Sequence, residues 1–140
     1  MLTEPAIPED VQSFLHDHLQ AHEHLEVLLW VRTHADQAWT AQSIALELRM
    51  SELLSEEALR ALYRRRLVRA RKGFHELLFQ YGPHTVELDQ LVGKLARAYD
   101  EGRVAILKLM TANALQRLRT KTFRRFCHPL FSGRTKRNAG

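Results

Sequence analysis

Thr40-Ala41-Gln42-Ser43-Ile44-Ala45-Leu46-Glu47-Leu48, followed by Ser55-Glu56-Glu57-Ala58-Leu59-Arg60-Ala61-Leu62-Tyr63-Arg64-Arg65-Arg66, is the stretch whose reading decides the fold. Thr40 offers a hydroxyl to the orphan amides of a first helical turn, and Ile44, Ala45 and Leu48 recur at helical spacing behind it. Ala45 is small enough for a second helix to cross closely. Arg49-Met50-Ser51-Glu52-Leu53-Leu54 then reads as a turn without glycine, and Ser55 as the N-cap of the second helix, with Leu59 and Leu62 facing inward. Glu57 misses the capping-box position by one residue. Next come two alternating runs, Leu67-Val68-Arg69-Ala70-Arg71 and Leu77-Leu78-Phe79-Gln80-Tyr81, separated by the hairpin signal Lys72-Gly73 and stopped by Gly82-Pro83. Two helices, a tight turn and a two-stranded ribbon follow from these residues.

Outward from this stretch the chain is helical. Pro8, Glu9 and Asp10 suit a helix start, and Val11, Phe14, Leu15 and Leu19 make an apolar stripe. A strongly apolar helix is expected from about Ala21 to Thr33. Trp39 stands where a short strand would pair with the ribbon. From about Thr85, Val86, Leu88, Leu91, Val92, Leu95 and Tyr99 keep helical spacing, and Val104 to Leu115 prolong it beyond Gly102. Some 30 helical residues span about 45 Å if straight. Two readings stay open: a free apolar helix that forms a dimer interface, or a break at Gly102 that folds the second half back on its own domain. The organisation expected is 1–84 for the helices and ribbon, 85–119 for the long helix or helix pair, and 120–140 for a basic tail, disordered from Ser132.

This order resembles a winged helix-turn-helix, in the bacterial regulator families that include the multiple-antibiotic-resistance and arsenical-resistance repressors. The resemblance covers roughly 21–81 and rests on a hydrophobic pattern. It implies a mainly α fold with a small antiparallel β-wing and a long C-terminal helix. It also implies a transcriptional regulator that reads double-stranded DNA as a homodimer. A helix of this kind fits the major groove, and basic wing residues reach the phosphates beside it. Carried over by position, the reading helix would present Ser55, Glu56, Glu57, Arg60, Ala61, Arg64 and Arg65. Arg69, Arg71, Lys72 and His75 would make the wing contacts, and Gln42, Ser43 and Ser51 would hold phosphates at helix starts. Two departures stand out. Glu56 and Glu57 place two carboxylates where the helix would approach base edges. Arg66 occupies a position where these families carry glycine, so either an arginine sits in the left-handed region at a cost of about 1 kcal/mol or the helix ends differently. The alternative is an adapter that holds a protein partner on the same fold without specific DNA binding.

Charge sharpens the question. The chain has 21 Lys and Arg against 16 Asp and Glu, yet nothing acidic follows Glu101 while ten basic residues do, which leaves residues 1–101 with a net charge of −5. The C-terminal end therefore carries the excess, and it invites readings as a polyanion-seeking, solubilising, membrane-surface or RNA-binding segment. Phe123, Arg124, Arg125, Phe126, Leu130 and Phe131 supply its aromatic-basic mixture. The apolar fraction of 45% is enough for a packed core, no run approaches a membrane span, and the N-terminus lacks a secretory plan. A single cysteine, Cys127, fits a reducing cytoplasm. The expectation is a cytoplasmic chain that is not an enzyme and needs no cofactor. No phosphate-cradling loop, nucleophile elbow or zinc-protease helix is present. Cys127 beside His128 reads as an idle thiol. His16, His18, His22 and His24 cluster, with His18 and His22 at the spacing of two imidazoles on one helix face, but no cysteine lies nearby, and a solvated face rather than a metal site is expected.

Overall fold

In the computed structural model the backbone is described for residues 6–139 and the side chains for residues 6–122. The elements run α1 (Glu9–His18), α2 (His22–Thr33), α3 (Ala41–Leu48), α4 (Glu52–Arg64), β1 (Val68–Lys72), β2 (Leu77–Tyr81), α5 (Val86–Glu101) and α6 (Arg103–Ala139). The chain is mainly helical, with one two-stranded antiparallel sheet among the described residues.

Helix starts follow local chemistry. Thr40 accepts from the Ser43 amide at the start of α3, and Thr85 accepts from the Leu88 amide at the start of α5. The start of α4 differs from the sequence expectation. Its N-cap is Ser51, which accepts from the Leu54 amide, so the helix begins at Glu52 rather than at Ser55. Both serines have capping chemistry, and burial decides between them. Ser55 is fully buried, and its hydroxyl donates to the Ala41 carbonyl of α3 at 2.8 Å. A residue pinned to a neighbouring helix cannot also terminate its own.

Helix ends rely on backbone strain. Arg49 closes α3 at φ 56° and Arg66 closes α4 at φ 63°, both in the left-handed region that favours glycine. Behind each, the next amide reaches back five residues: Met50 to the Ala45 carbonyl and Leu67 to the Leu62 carbonyl, both at 3.0 Å. Arg66 thus adopts the glycine conformation without being glycine, and the six-residue closure holds it there.

The ribbon pairs Val68 with Tyr81, Ala70 with Phe79 and Lys72 with Leu77. A third short element joins it, as Trp39 and Phe79 exchange two backbone hydrogen bonds of 2.7 Å. The Trp39 indole packs edge-on against Trp30 at 4.9 Å and donates to the His34 carbonyl. Trp39 is therefore a packing residue that ties the ribbon to α2.

The long C-terminal apolar pattern breaks at Gly102, and α6 folds back. Ile106 and Met110 are buried in the same core cluster as Val11, Leu25, Leu59 and Val92. α1 packs against both α5 and α6, helped by Lys94 Nζ on Asp10 Oδ2 at 2.6 Å and by Arg117 donating to the His16 carbonyl. Tyr81 at the end of β2 donates to Asp89 Oδ1 of α5 at 2.7 Å, which joins the ribbon to the C-terminal pair. α6 is continuous across 120 and on to Ala139, so the backbone shows no change of element where the basic tail was expected to begin. The readings built on Cys127, His128 and the phenylalanines from Phe123 onward concern side chains outside the described residues.

His18 and His22 lie on different helices, because Leu19 and Ala21 between them are extended. The shared helix face expected for them does not exist. His16 and His22 are exposed, whereas His24 is buried and His18 half-buried. Among the described residues no three His, Cys, Asp or Glu side chains converge as a metal-binding group.

Two predictions follow from these strained and buried groups. Arg66→Gly should stabilise the fold by about 1 kcal/mol, read as a higher urea midpoint at unchanged slope. Burial holds the His24 and His18 imidazoles below the ordinary histidine range. The unfolded chain therefore takes up more protons than the native one once pH falls below about 6.5, and stability should drop from there until pH passes the lowered native values. Thermal melts between pH 8 and pH 5 check this, and His24→Leu should flatten part of the slope.

Candidate nucleic-acid interface

α4 is amphipathic, and its buried side is Ser55, Ala58, Leu59 and Leu62. The face left to solvent carries Leu53, Leu54, Glu57, Arg60, Tyr63 and Arg64, with Glu56 half-exposed. Ser55, expected among the contact residues, has no surface to offer. Arg60 is exposed but occupied: its Nε and a terminal nitrogen lie 3.1 and 3.0 Å from Glu56 Oε1, one helical turn away. An exposed pair of this kind contributes little to stability, yet it fixes where the guanidinium points.

Arg60 borders a cleft of about 160 Å³ between α4, the start of α3 and the ribbon, whose charged lining is Glu52, Glu56 and Glu76 against Arg60 alone. Gln42 also lines it and is exposed. Ser43 is half-buried, and its hydroxyl pairs with Thr40 Oγ1 at 2.8 Å. The start of α3 is thus already capped from within the chain, which leaves Gln42 as its outward-reaching side chain.

Positive charge gathers on the other flank of α4. Arg64, Arg66, Arg69 and His84 line a groove of about 820 Å³ between the end of α4 and β1, together with Tyr63, Val68, Ala70 and Gly82, and no carboxylate is among them. Gly82 leaves room there for the Arg69 side chain. A Cβ at that position would come within 2.8 Å of Arg69 Nε, so the missing side chain lets Arg69 lie across the strand end. His84 donates its amide to the Arg66 carbonyl at 3.0 Å and brings its ring to the same rim. Arg69 and Arg71 share one face of β1 by alternation, and both are exposed, as is Lys72 at the strand end. His75 lies in the hairpin beside Phe74, which is wholly exposed, and the hairpin is closed by the Gly73 amide on the Glu76 carbonyl at 2.7 Å.

The expected residues therefore divide. Arg64 and Arg69 come together, with Arg71 and Lys72 further along the strand. Arg60 and Glu56 face the acidic cleft with Gln42. Arg65 points toward α1, where it influences Asp17 and His18. Sequence reasoning missed Arg66 and His84 as members of the basic groove. Arg66 was noticed for its backbone conformation, and that same conformation turns its side chain out of the helix.

No family model and no curated protein sequence matches this chain. Solved structures do. The Staphylococcus aureus MepR–DNA complex matches at a TM-score of 0.52 and 19% identity, over 80% of this chain and 89% of that one. MepR, a transcription regulator of the S. aureus multidrug efflux pump MepA, matches at 0.52 and 15% identity, over 84% and 86%. At these identities the likeness is one of fold, and it extends beyond the helix-turn-helix to the flanking helices. The chain has the winged-helix fold.

The junction that aims α4 can be tested directly. Ser55→Ala leaves the Ala41 carbonyl without its buried donor and should cost about 1–3 kcal/mol in chemical denaturation. Ser51→Ala removes the true cap and should cost about 1 kcal/mol.

Proposed function

We propose that this chain is a DNA-binding transcriptional regulator that engages double-stranded DNA through α4 and the wing. The observation that carries the reading is the carboxylate-free groove of Arg64, Arg66 and Arg69, continued along β1 by Arg71 and Lys72. Guanidinium groups spaced along one rim suit successive phosphates, and phosphate contacts set register on a duplex. Arg60 and Glu56 are the base-reading pair in this scheme. A glutamate can accept from cytosine N4 and an arginine can donate to guanine, but the two are bonded to each other and must part to do so. Gln42 and His75 flank that surface. The winged-helix neighbour solved with DNA supports the same use of the fold. The protein would act in the cytoplasm, without catalysis.

The same reading includes a homodimer. Val104, Leu115 and Leu118 are 57%, 50% and 60% exposed along α6, at intervals that return to one helix face, and Val86 at the start of α5 is 67% exposed. A second copy would cover this stripe and present two α4 helices to one duplex.

One observation favours a second reading, a protein-binding adapter. The acidic cleft of Glu52, Glu56 and Glu76 is also lined by the exposed Leu77, and Leu53 of α4 and Phe74 of the hairpin are exposed as well. Carboxylates and bare leucines suit a basic, apolar protein segment better than a phosphate backbone.

Fluorescence anisotropy against random duplex DNA at two salt concentrations separates the two. The expected result is salt-sensitive binding by the full chain that survives removal of residues after Arg119. Arg69→Gln or Arg71→Gln should weaken binding to all sequences and lower the salt slope by about 1 each. Glu56→Ala, which releases Arg60, should instead change the preferred sequence. Binding that disappears with the C-terminal residues would place DNA affinity there and leave the folded domain to the adapter role.

A further inference from the structure

A second groove, of about 470 Å³, opens where the α1–α2 junction meets the outer side of α4, and the DNA reading proposed above shares only Arg64 with it. His18, Gln20 and His24 form one wall, Glu57, Arg64 and Arg65 the other, with Ala61 between them. We infer that this groove is a binding site for a small phosphate-bearing anion, gripped by Arg64 at the end of α4, by Arg65 just after it and by the two imidazoles opposite.

Its lining is built rather than incidental. His24 is only 8% exposed, and its Nδ1 is buried with no hydrogen-bond partner. The Nδ1 of His18 is buried and unpartnered as well, and that ring is held against Phe14 at 4.8 Å between centroids. Both Nδ1 atoms lie inside the packed protein, away from the groove. With Nδ1 sealed on both rings, Nε2 is the nitrogen each can turn to a ligand. Burial keeps both imidazoles below the usual range, so each is neutral near pH 7 and can donate one N–H. The charged groups acting on His24 are Glu57 and Arg64 from α4, Glu23 from its own helix and Arg117 from α6; those acting on His18 are Arg65 and Asp17. Within the lining, two guanidiniums outweigh the one carboxylate of Glu57. Consecutive arginines with two ring donors and the Gln20 amide provide the several directed donors that a phosphate accepts. The mostly polar lining disfavours an apolar ligand.

Arg64 also lines the basic groove on β1. If α4 reads DNA as proposed above, an anion that draws Arg64 into this site removes it from the phosphate-binding rim. The site would then lower duplex affinity through a shared residue, without a change of fold.

Calorimetric titration of the full chain with inorganic pyrophosphate, at constant ionic strength and without DNA, tests the site by itself. One saturable site is expected, weakened at least tenfold in Arg65→Gln and in His24→Gln and unchanged in Arg97→Gln, whose side chain is exposed on α5. Arg65 is exposed, so its variant remains informative if His24→Gln does not fold. Heat that never saturates, or equal affinity in Arg65→Gln, overturns the proposal. Repeating the duplex anisotropy with pyrophosphate then reads the coupling. A loss of duplex affinity in the native chain that is absent in Arg65→Gln supports it; equal loss in both reduces the effect to ionic competition and overturns the coupling. A chain that binds pyrophosphate but not DNA would refute the DNA reading and leave the anion site standing.

Discussion

Everything about the candidate interface depends on how α4 crosses α3. That crossing is held by a buried hydroxyl, Ser55 donating to the Ala41 carbonyl, between the small buried side chains of Ala45 and Ala58. Small residues let the two helices approach, and the hydrogen bond gives the approach one register instead of several. Leu59 and Leu62 then enter the core, and the opposite side of α4 is committed to solvent. The Trp39–Phe79 backbone pair fixes the ribbon to the same frame. α4 and the ribbon thus hold their relative positions through two short polar contacts backed by a continuous apolar core.

Electrostatics divides this frame into faces with different chemistry. Net charge suggested that positive potential would be confined to the C-terminal end. Folding gathers Arg64, Arg66 and Arg69 on one flank of α4 and leaves Glu52, Glu56 and Glu76 on the other. A third groove, behind α4, combines arginines with the buried His24 and the half-buried His18. α4 therefore borders three environments, one acidic, one basic and one mixed, and Arg64 belongs to two of them. A helix in that position can couple what binds on one flank to what binds on another, because the coupling needs only the reorientation of one long side chain.

The C-terminal helices show how the core settles a question that patterning leaves open. An apolar repeat on both sides of Gly102 fits a free helix and a folded-back pair equally well. Ile106 and Met110 reach the core that α1, α2 and α4 have already formed, and the apolar area they bury there favours the folded-back pair. The residues that remain outside, Val104, Leu115 and Leu118, are those the repeat places on the opposite side of α6.

The sequence by itself determined the order of elements, because each is specified locally. Thr40 and Thr85 cap their own helices, Lys72-Gly73 turns the ribbon, Gly82-Pro83 ends it, and Gly102 breaks the last helical pattern. Each acts within one turn of chain and needs no distant partner. Only the tertiary structure decided which of two serines starts α4, since Ser51 and Ser55 have the same local chemistry and differ in what lies across from them. It also decided the membership of each groove. Arg60 and Arg64 share a helix face in the sequence pattern, yet one is held by Glu56 toward the acidic cleft and the other opens onto the basic flank. Arg66 and His84 joined that flank through a left-handed backbone and a strand end, positions that no helical or strand periodicity marks. Charge in a sequence is a count along a line; potential at a surface depends on which side chains the packed core turns outward together.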